Sequence, residues 1–228
     1  MALSACSPLA NAALQGGFTA CELPVPINGA RSIVSVGTSD SLVLERGSTA
    51  VVQLFDSNGD GIADSRRDLV FSPRLNHGLA IHQGFIYASS DTTVYRWPYE
   101  GDGFESIGEQ QIVIENINAD GQGGAPQGHT TRTLAFDDLN RLYVSVGSDR
   151  NVDADSYRSR IRRFDIYGDS VMFPLDFQVG EVFADGLRNE VGLAFDSHGD
   201  LWGVENSADD LFREDFGGDI HEDNPVRL

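Results

Sequence analysis

Histidine, arginine and asparagine side chains stand just before three similar apolar segments of this sequence. His77 precedes the first segment, His129 and Arg132 precede the second, and Arg188 with Asn189 precedes the third. Imidazole titrates near neutral pH and is a common general base, and the planar guanidinium group pairs well with carboxylates. If the three loops meet, these side chains share one cavity that contains a candidate general base. The alternative is that these are ordinary turn histidines and a solvated hairpin corner.

The elements that would position these side chains form a repeat. Segments 78–87, 133–143 and 192–202 each consist of an apolar strand, a polar turn and a strand with an aromatic residue, and a weaker copy begins at residue 31. A second hairpin follows each of the first three copies. Four short strands in about 50 residues are typical of a β-propeller blade, and no segment has the 3.6-residue period of a long helix.

We therefore predict an all-β chain that forms an incomplete arc of about three and a half propeller blades; a β-sandwich is the less favoured alternative. Residues 23–228 form the partial propeller, and residues 1–22 form a leader or a disordered segment. Since the fourth copy stops after its first hairpin, we expect the chain to be a fragment or a truncated gene product. Equivalent loops of successive blades converge on the axis, which would bring the five polar side chains together.

The charge balance excludes some classes of partner. The 228 residues include 35 acidic and 16 basic side chains, all of the latter arginine, for a net charge of −19. Such a chain repels nucleic acid and anionic membrane surfaces, and no apolar run approaches the roughly 20 residues that a transmembrane span needs. The lysine-free acidic surface favours an extracytoplasmic location. Cys6 either ends a lipoprotein-like signal or forms a disulfide with Cys21 in an oxidising compartment.

An acidic loop in the first repeat has the composition of a calcium loop. Asp56, Asn58, Asp60 and Asp64 carry oxygen atoms of the kind that calcium prefers. The glutamate that would end an EF-hand loop is replaced by Arg67, so that motif fails. Two interpretations stay open: a structural calcium site, or a hairpin loop built from Asx turns.

Four motifs, taken in order, resemble the glucose/sorbosone dehydrogenase family, and most closely its sorbosone or pyranose dehydrogenase branch. These proteins are six-bladed propellers that use pyrroloquinoline quinone (PQQ) and calcium. The resemblance covers roughly residues 25–224. It is carried by residues 129–136, 142–148 with 151–152, 186–195 and 201–206.

The resemblance implies that the protein oxidises a sugar (an aldose or an aldosone) and passes the electrons on to an external acceptor. His129 would take the proton from a sugar hydroxyl while hydride passes to the quinone. Arg188 and Asn189 would face the quinone, with Arg132 and His77 as further cofactor-binding residues. The main-chain carbonyls of Ser207 and Ala208 would bind calcium. The alternative function is a non-catalytic propeller that binds a carbohydrate or a protein partner.

The sequence departs from the family pattern in two places that matter for the site. An aspartate supports the catalytic histidine in the soluble glucose dehydrogenase branch, whereas Ser148 occupies that position here and Asp149 follows it. Either residue is a candidate to orient His129. Cationic cofactor ligands from the later blades lie beyond Leu228, so we expect the chain as given to bind the quinone weakly or not at all.

Overall fold

A computed structural model of the chain describes residues 7–8, 20–38, 40–101, 107–117, 128–155, 157–207, 211–220 and 225–227. Four larger antiparallel sheets follow one another along this part of the chain. A short pairing of β1 (Ser7–Pro8) with β2 (Cys21–Glu22) precedes them. Among the described residues, no helix is long and apolar enough to cross a membrane.

Blade 1 and blade 2 are consecutive up-and-down sheets. Blade 1 contains β3 (Ala30–Val36), β4 (Asp40–Glu45), β5 (Ala50–Phe55) and β6 (Ser65–Phe71) in that spatial order. Blade 2 contains β7 (Leu79–His82), β8 (Phe85–Ser89), β9 (Val94–Pro98) and β10 (Gln111–Glu115). Each strand therefore pairs with the next strand in sequence, as in a propeller blade.

Blade 3 has the same four-stranded order, but one short strand from its sequence pairs with blade 2. It contains β11 (Leu134–Phe136), β12 (Arg141–Val146), β13 (Arg160–Asp165) and β15 (Glu181–Asp185). The short strand β14 (Leu175–Asp176) lies between β13 and β15 in sequence but pairs in parallel with β10 at the outer edge of blade 2. A 3₁₀ turn, η1 (Phe177–Val179), leads from β14 back to blade 3.

Blade 4 has three strands in the described part of the chain. β16 (Glu190–Phe195) pairs with β17 (Leu201–Glu205), which pairs with β20 (Pro225–Arg227). Between β17 and β20 lie a separate hairpin of β18 (Leu211–Arg213) and β19 (Gly218–Ile220) and the 3₁₀ turn η2 (Glu214–Phe216). The expectation that the fourth repeat stops after its first hairpin was wrong, because β20 adds a third strand to that blade.

Apolar side chains on both faces of the sheets build the core between neighbouring blades. Leu44 of blade 1 and Ile86 of blade 2 are fully buried in one cluster, and Tyr87 and Val144 bury together between blades 2 and 3. Tyr143 of blade 3 packs edge-on against Phe195 of blade 4, with the ring centroids 5.1 Å apart. The first strands of successive blades, β3, β7, β11 and β16, lie side by side. This arrangement confirms the predicted all-β propeller arc and excludes the two-layer sandwich.

Serine hydroxyl groups join each blade to the next beside these first strands. In each case the hydroxyl donates to a main-chain carbonyl at or just before the first strand of the following blade, and we call these contacts hydroxyl latches. Such hydrogen bonds help to fix the position of one sheet relative to the next, most strongly for the two latches whose partners are both buried. The latches run from Ser32 to His77 (2.5 Å), from Ser89 to Arg132 (2.8 Å) and from Ser145 to Glu190 (3.3 Å).

Candidate active site

The His129 ring is held by the main chain of the neighbouring strand–loop junction. Its Nδ1 lies 2.7 Å from the carbonyl oxygen of Ser148 and 3.1 Å from the Ser148 hydroxyl oxygen. A carbonyl oxygen only accepts, so Nδ1 carries the proton and Nε2 carries the lone pair that a general base needs. Between the two candidates for orienting His129, the structure therefore selects Ser148. The Asp149 carboxylate lies 3.6 Å from the Arg150 guanidinium group.

Gly147 lets blades 3 and 4 approach closely at this point. A Cβ atom on residue 147 would lie 2.6 Å from the His129 Cβ atom, 2.9 Å from the Arg188 carbonyl oxygen and 3.2 Å from the Asn189 Oδ1 atom. The Ser148 N–H also donates to the Arg188 carbonyl oxygen at 2.8 Å. The structure thus brings His129 beside Arg188 and Asn189, as the sequence predicted for loops of adjacent blades.

The turn at 188–189 is bonded to the turn that follows β17. The Arg188 main-chain N–H donates to the Glu205 carboxylate, and Arg188 Nη1 donates to the Asn206 carbonyl oxygen at 2.9 Å. The Asn206 N–H donates to the Asn189 carbonyl oxygen at 3.0 Å. The Asn189 side chain is buried, and its Oδ1 accepts a hydrogen bond from the Thr131 hydroxyl at 3.3 Å. Both turns are therefore fixed to each other and to blade 3.

A cavity of about 370 Å³ opens between these turns and the loop after β12. This volume lies within the roughly 300–1,000 Å³ range of small-molecule sites. Ser207 belongs to the lining, and Ala208, its predicted partner in calcium binding, lies outside the described residues. The lining consists of Ser148, Asn151, Val152, Asp153, Ser159, Gly186, Leu187, Arg188, Glu205 and Ser207.

Arg132 lies beneath the His129 loop rather than on the cavity wall. The side chain is fully buried, its Nε donates to the Asp91 carbonyl oxygen at 2.8 Å, and its Nη1 donates to the carbonyl oxygens of His129 and Thr131 at 3.0 and 2.7 Å. Burial lowers the pKa of this guanidinium group to about 9, and the nearby Asp91 charge opposes the shift. In the described structure Arg132 braces the main chain that carries His129. Its cofactor-binding role stays a prediction.

His77 is buried at the start of blade 2 and reaches blade 4. Its Nε2 lies 3.0 Å from the Val191 carbonyl oxygen and must donate to it. Burial lowers the pKa of the imidazole, so the ring is neutral at physiological pH. Among the described residues that line the cavity, His77 is absent. Its cofactor-binding role likewise stays a prediction.

The acidic loop of blade 1 is organised by its own main chain. The Asp56 carboxylate accepts N–H groups of residues 58–61, and the Asn58 and Asp60 side chains each accept the N–H two residues further on. These bonds lower the pKa of Asp56, and hydrogen bonds from Ser57 lower that of Asp64. The contacts are those of the Asx-turn interpretation. No cluster of three acidic, histidine or cysteine ligands occurs in the described ranges, and calcium at this loop stays a prediction.

Glu190 and Glu205 are features of the site that the sequence analysis missed. They lie opposite each other on β16 and β17. The Glu190 side chain is only 1% exposed, and neither carboxyl oxygen has a hydrogen-bond partner. Burial, and next the Glu205 charge, raise the pKa of Glu190 to about 8, so that it is mostly protonated at neutral pH. A signal was present in the sequence: Glu190 follows the Arg-Asn pair directly, at the start of an apolar strand.

Comparison with known proteins finds curated relatives that are sugar dehydrogenases. The TrAA12-like family model matches residues 12–227. The chain is 36% identical over 210 residues to a pyrroloquinoline quinone-dependent sugar dehydrogenase of Hypocrea jecorina (strain QM6a), with 86% of this chain covered. It is 30% identical over 223 residues to a pyrroloquinoline quinone-dependent pyranose dehydrogenase of Coprinopsis cinerea, with 92% covered. These matches confirm the resemblance that the motifs indicated.

A solved structure supports the same relationship. The calcium structure of the Trichoderma reesei Carbohydrate-Active Enzymes Family AA12 protein superposes with a TM-score of 0.75 at 31% identity, covering 100% of this chain and 56% of that chain. The chain spans 46% of the length of the H. jecorina relative and 29% of that of the C. cinerea relative.

Proposed function

From the premise that this chain belongs to the TrAA12-like family, whose model matches residues 12–227, we propose that it carries the catalytic half of a PQQ-dependent sugar dehydrogenase. The reaction is the oxidation of a sugar hydroxyl group to a carbonyl group. The observation that carries the proposal is the placement of His129, with its Nδ1 bound to the Ser148 carbonyl oxygen at 2.7 Å, beside the Arg188–Asn189 turn.

The residues present fit an anionic, planar cofactor and a hard cation. Arg188 contributes a guanidinium group to the cavity wall, and guanidinium groups pair well with carboxylates. Ser148, Asn151 and Ser207 contribute neutral polar groups to the same wall, and Asp153 and Glu205 contribute carboxylate groups, which suit the cation rather than the anion. Arg188 and Asn189 would hold the quinone, and the main-chain carbonyl oxygens at Ser207 and Ala208 would hold calcium, which prefers oxygen ligands. When bound, the quinone supplies the two-electron acceptor and calcium the Lewis acid that polarises it.

The protein's own contribution is to accept and hold a proton at one defined atom. Because the Ser148 carbonyl oxygen fixes the proton on Nδ1, His129 Nε2 accepts the hydroxyl proton as the carbon is oxidised. The Nδ1–H bond to that carbonyl oxygen then also stabilises the imidazolium ion, since a charged donor makes a stronger hydrogen bond. Arg132 holds the His129 carbonyl oxygen from below at 3.0 Å and thereby limits movement of the base.

A titration of the full-length natural polypeptide that carries this sequence tests the proposal. PQQ and calcium are added, followed by a panel of aldoses and aldosones with an artificial electron acceptor. His129→Ala should lower turnover by about 10²–10⁴ with little change in cofactor affinity. The matched control is His198→Ala, because that side chain is 83% exposed on a turn of blade 4. Failure of the wild-type protein to reduce the acceptor with any sugar would refute the proposed reaction, and binding of sugar without turnover would favour the non-catalytic alternative.

Two further parts of the proposal concern the surroundings of the enzyme. The two electrons taken from each sugar must pass on to an external acceptor before the next sugar can be oxidised. An extracytoplasmic location is supported by the net charge of −19 and the absence of lysine. Fractionation of the native host cells, with detection of the protein by antibody, tests this location directly.

A further inference from the structure

Three hydrogen bonds join the two turns that form one side of the cavity. The Arg188 N–H donates to the Glu205 carboxylate, Arg188 Nη1 donates to the Asn206 carbonyl oxygen at 2.9 Å, and the Asn206 N–H donates to the Asn189 carbonyl oxygen at 3.0 Å. Under the proposed function, the first turn faces the quinone and the second begins the calcium-binding carbonyls. The relative position of these two turns therefore decides whether both cofactors fit at once.

Glu205 is the one side-chain acceptor in this set of three bonds. The other two acceptors are main-chain carbonyl oxygens, which persist in any variant at these positions. A carboxylate that accepts a main-chain N–H makes a stronger bond than a neutral acceptor does. The bond also joins β17, through its last residue, to the residue two positions before β16.

The neighbours of Glu205 leave its carboxylate able to make this bond. Glu190 faces it across the hairpin and is mostly uncharged at neutral pH, as its burial requires. On the side of blade 3, the Thr133 and Ser145 hydroxyl groups donate hydrogen bonds to the Glu190 carbonyl oxygen at 2.7 and 3.3 Å. Both groups are uncharged. Of the described charged groups, Glu205 is therefore the one that acts on Glu190.

We propose that Glu205 is a positioning residue for the cofactor site: its carboxylate holds the Arg188 main chain in register with the Asn206–Ser207 turn, so that the quinone-facing pair and the calcium-binding carbonyls stay aligned. This inference rests on the proposed function for the identity of the ligands. The coupling of the two turns does not, because the three hydrogen bonds are present without any ligand.

Hydrogen exchange in the ligand-free protein tests the coupling by itself. Glu205→Ala removes the acceptor of the Arg188 N–H, so exchange at that amide should accelerate about 10-fold or more, with amides of blades 1 and 2 unchanged. Glu205→Gln keeps an acceptor oxygen and should restore most of the protection. The control is Glu181→Gln, an exposed acid of β15 that pairs with Arg163, and it should leave the Arg188 amide as in the wild type. Unchanged exchange at Arg188 in the Glu205→Ala variant would overturn the inference.

Cofactor affinity in the same variants then tests the consequence. Quenching of intrinsic fluorescence by PQQ in the presence of calcium should give a dissociation constant at least 10-fold higher for Glu205→Ala than for Glu181→Gln, with partial recovery in Glu205→Gln. Equal affinity in Glu205→Ala and Glu181→Gln would overturn the positioning role. The affinity measurements use the full-length natural polypeptide that carries this sequence. If its wild type binds no PQQ, the proposed function fails, while the exchange result still decides whether Glu205 couples the turns. If Glu205→Ala does not fold, Glu205→Met, which removes the acceptor oxygen but keeps the side-chain volume, decides both measurements by the same criteria.

Discussion

The buried carboxyl group of Glu190 predicts an unusual dependence of stability on pH. In the unfolded chain its pKa returns to the usual 4.5, whereas in the folded protein burial and the Glu205 charge raise it to about 8. Between these values the folded state keeps a proton that the unfolded state has released, so the contribution of this group to stability is complete below pH 4.5 and falls as pH rises to 8. At about 1.4 kcal/mol per pH unit, the loss reaches about 5 kcal/mol.

Glu190→Gln isolates this term because it replaces the protonated acid with a neutral group of the same shape. Urea unfolding of both proteins from pH 4.5 to 8.5 should give a difference in free energy of unfolding that is small at pH 4.5 and grows in favour of the variant. Glu190→Met should show the same slope, which separates the charge from the amide's own hydrogen bonding. Glu181→Gln, the exposed control, should change stability by no more than about 1 kcal/mol throughout. A difference between Glu190→Gln and wild type that does not vary with pH would refute the reasoning.

Four further substitutions test how the site is built. Gly147→Ala places a Cβ atom 2.6 Å from that of His129. Thermal unfolding should show that the variant loses about 1–3 kcal/mol of stability. A loss of stability below about 0.5 kcal/mol would contradict the close approach of the two residues. Arg132→Met leaves one buried and two half-buried carbonyl oxygens without their Arg132 donor and should cost about 2–4 kcal/mol in urea unfolding. A gain in stability would show that the buried cation is the larger penalty. Ser145→Ala removes the hydroxyl latch between blades 3 and 4 and should lower both the stability of the protein and its affinity for PQQ. Ser32→Ala removes the latch between blades 1 and 2 and should lower stability alone. Equal effects of the two variants on PQQ affinity would contradict the placement of the cofactor site between blades 3 and 4.

The repeat and the position of the site were predictable because strands between neighbouring blades carry buried apolar side chains at recurring positions. Leu79 and Leu134, which the sequence aligned, both lie on first strands and are 7% and 5% exposed. Because these positions are buried, apolar residues recur at the same phase of the copies, and this recurrence is visible in the sequence. The loops before these strands then have to lie at one end of the arc, which is why His129 and Arg188 could be brought together from the sequence alone.

Other features depend on contacts that no local pattern encodes. β14 pairs in parallel with a strand of the preceding blade through two residues, Ile114↔Leu175 and Glu115↔Asp176, and two residues are too few to show an alternation. Ser148 orients His129 chiefly through a main-chain carbonyl oxygen, which any residue type supplies. Composition alone does not indicate that Glu190 is buried, because acidic side chains are almost always exposed or paired; the one signal is its position at the start of an apolar strand, directly after the Arg-Asn pair.

The hydroxyl latches link the predictable repeat of strands to the contacts that the sequence pattern does not encode. The residues that accept the latches are His77 in blade 2, Arg132 in blade 3 and Glu190 in blade 4. They lie at or just before the first strand of their blade, and each carries a buried ionisable side chain. A latch fixes the main chain there, and the candidate catalytic and cofactor-binding residues His129 and Arg188 lie two or three residues before it. The positions of His129 and Arg188 therefore depend on the packing between blades more than on the loops that contain them. Substitutions that loosen the contact between blades 3 and 4 should impair the site even where they touch neither His129 nor Arg188.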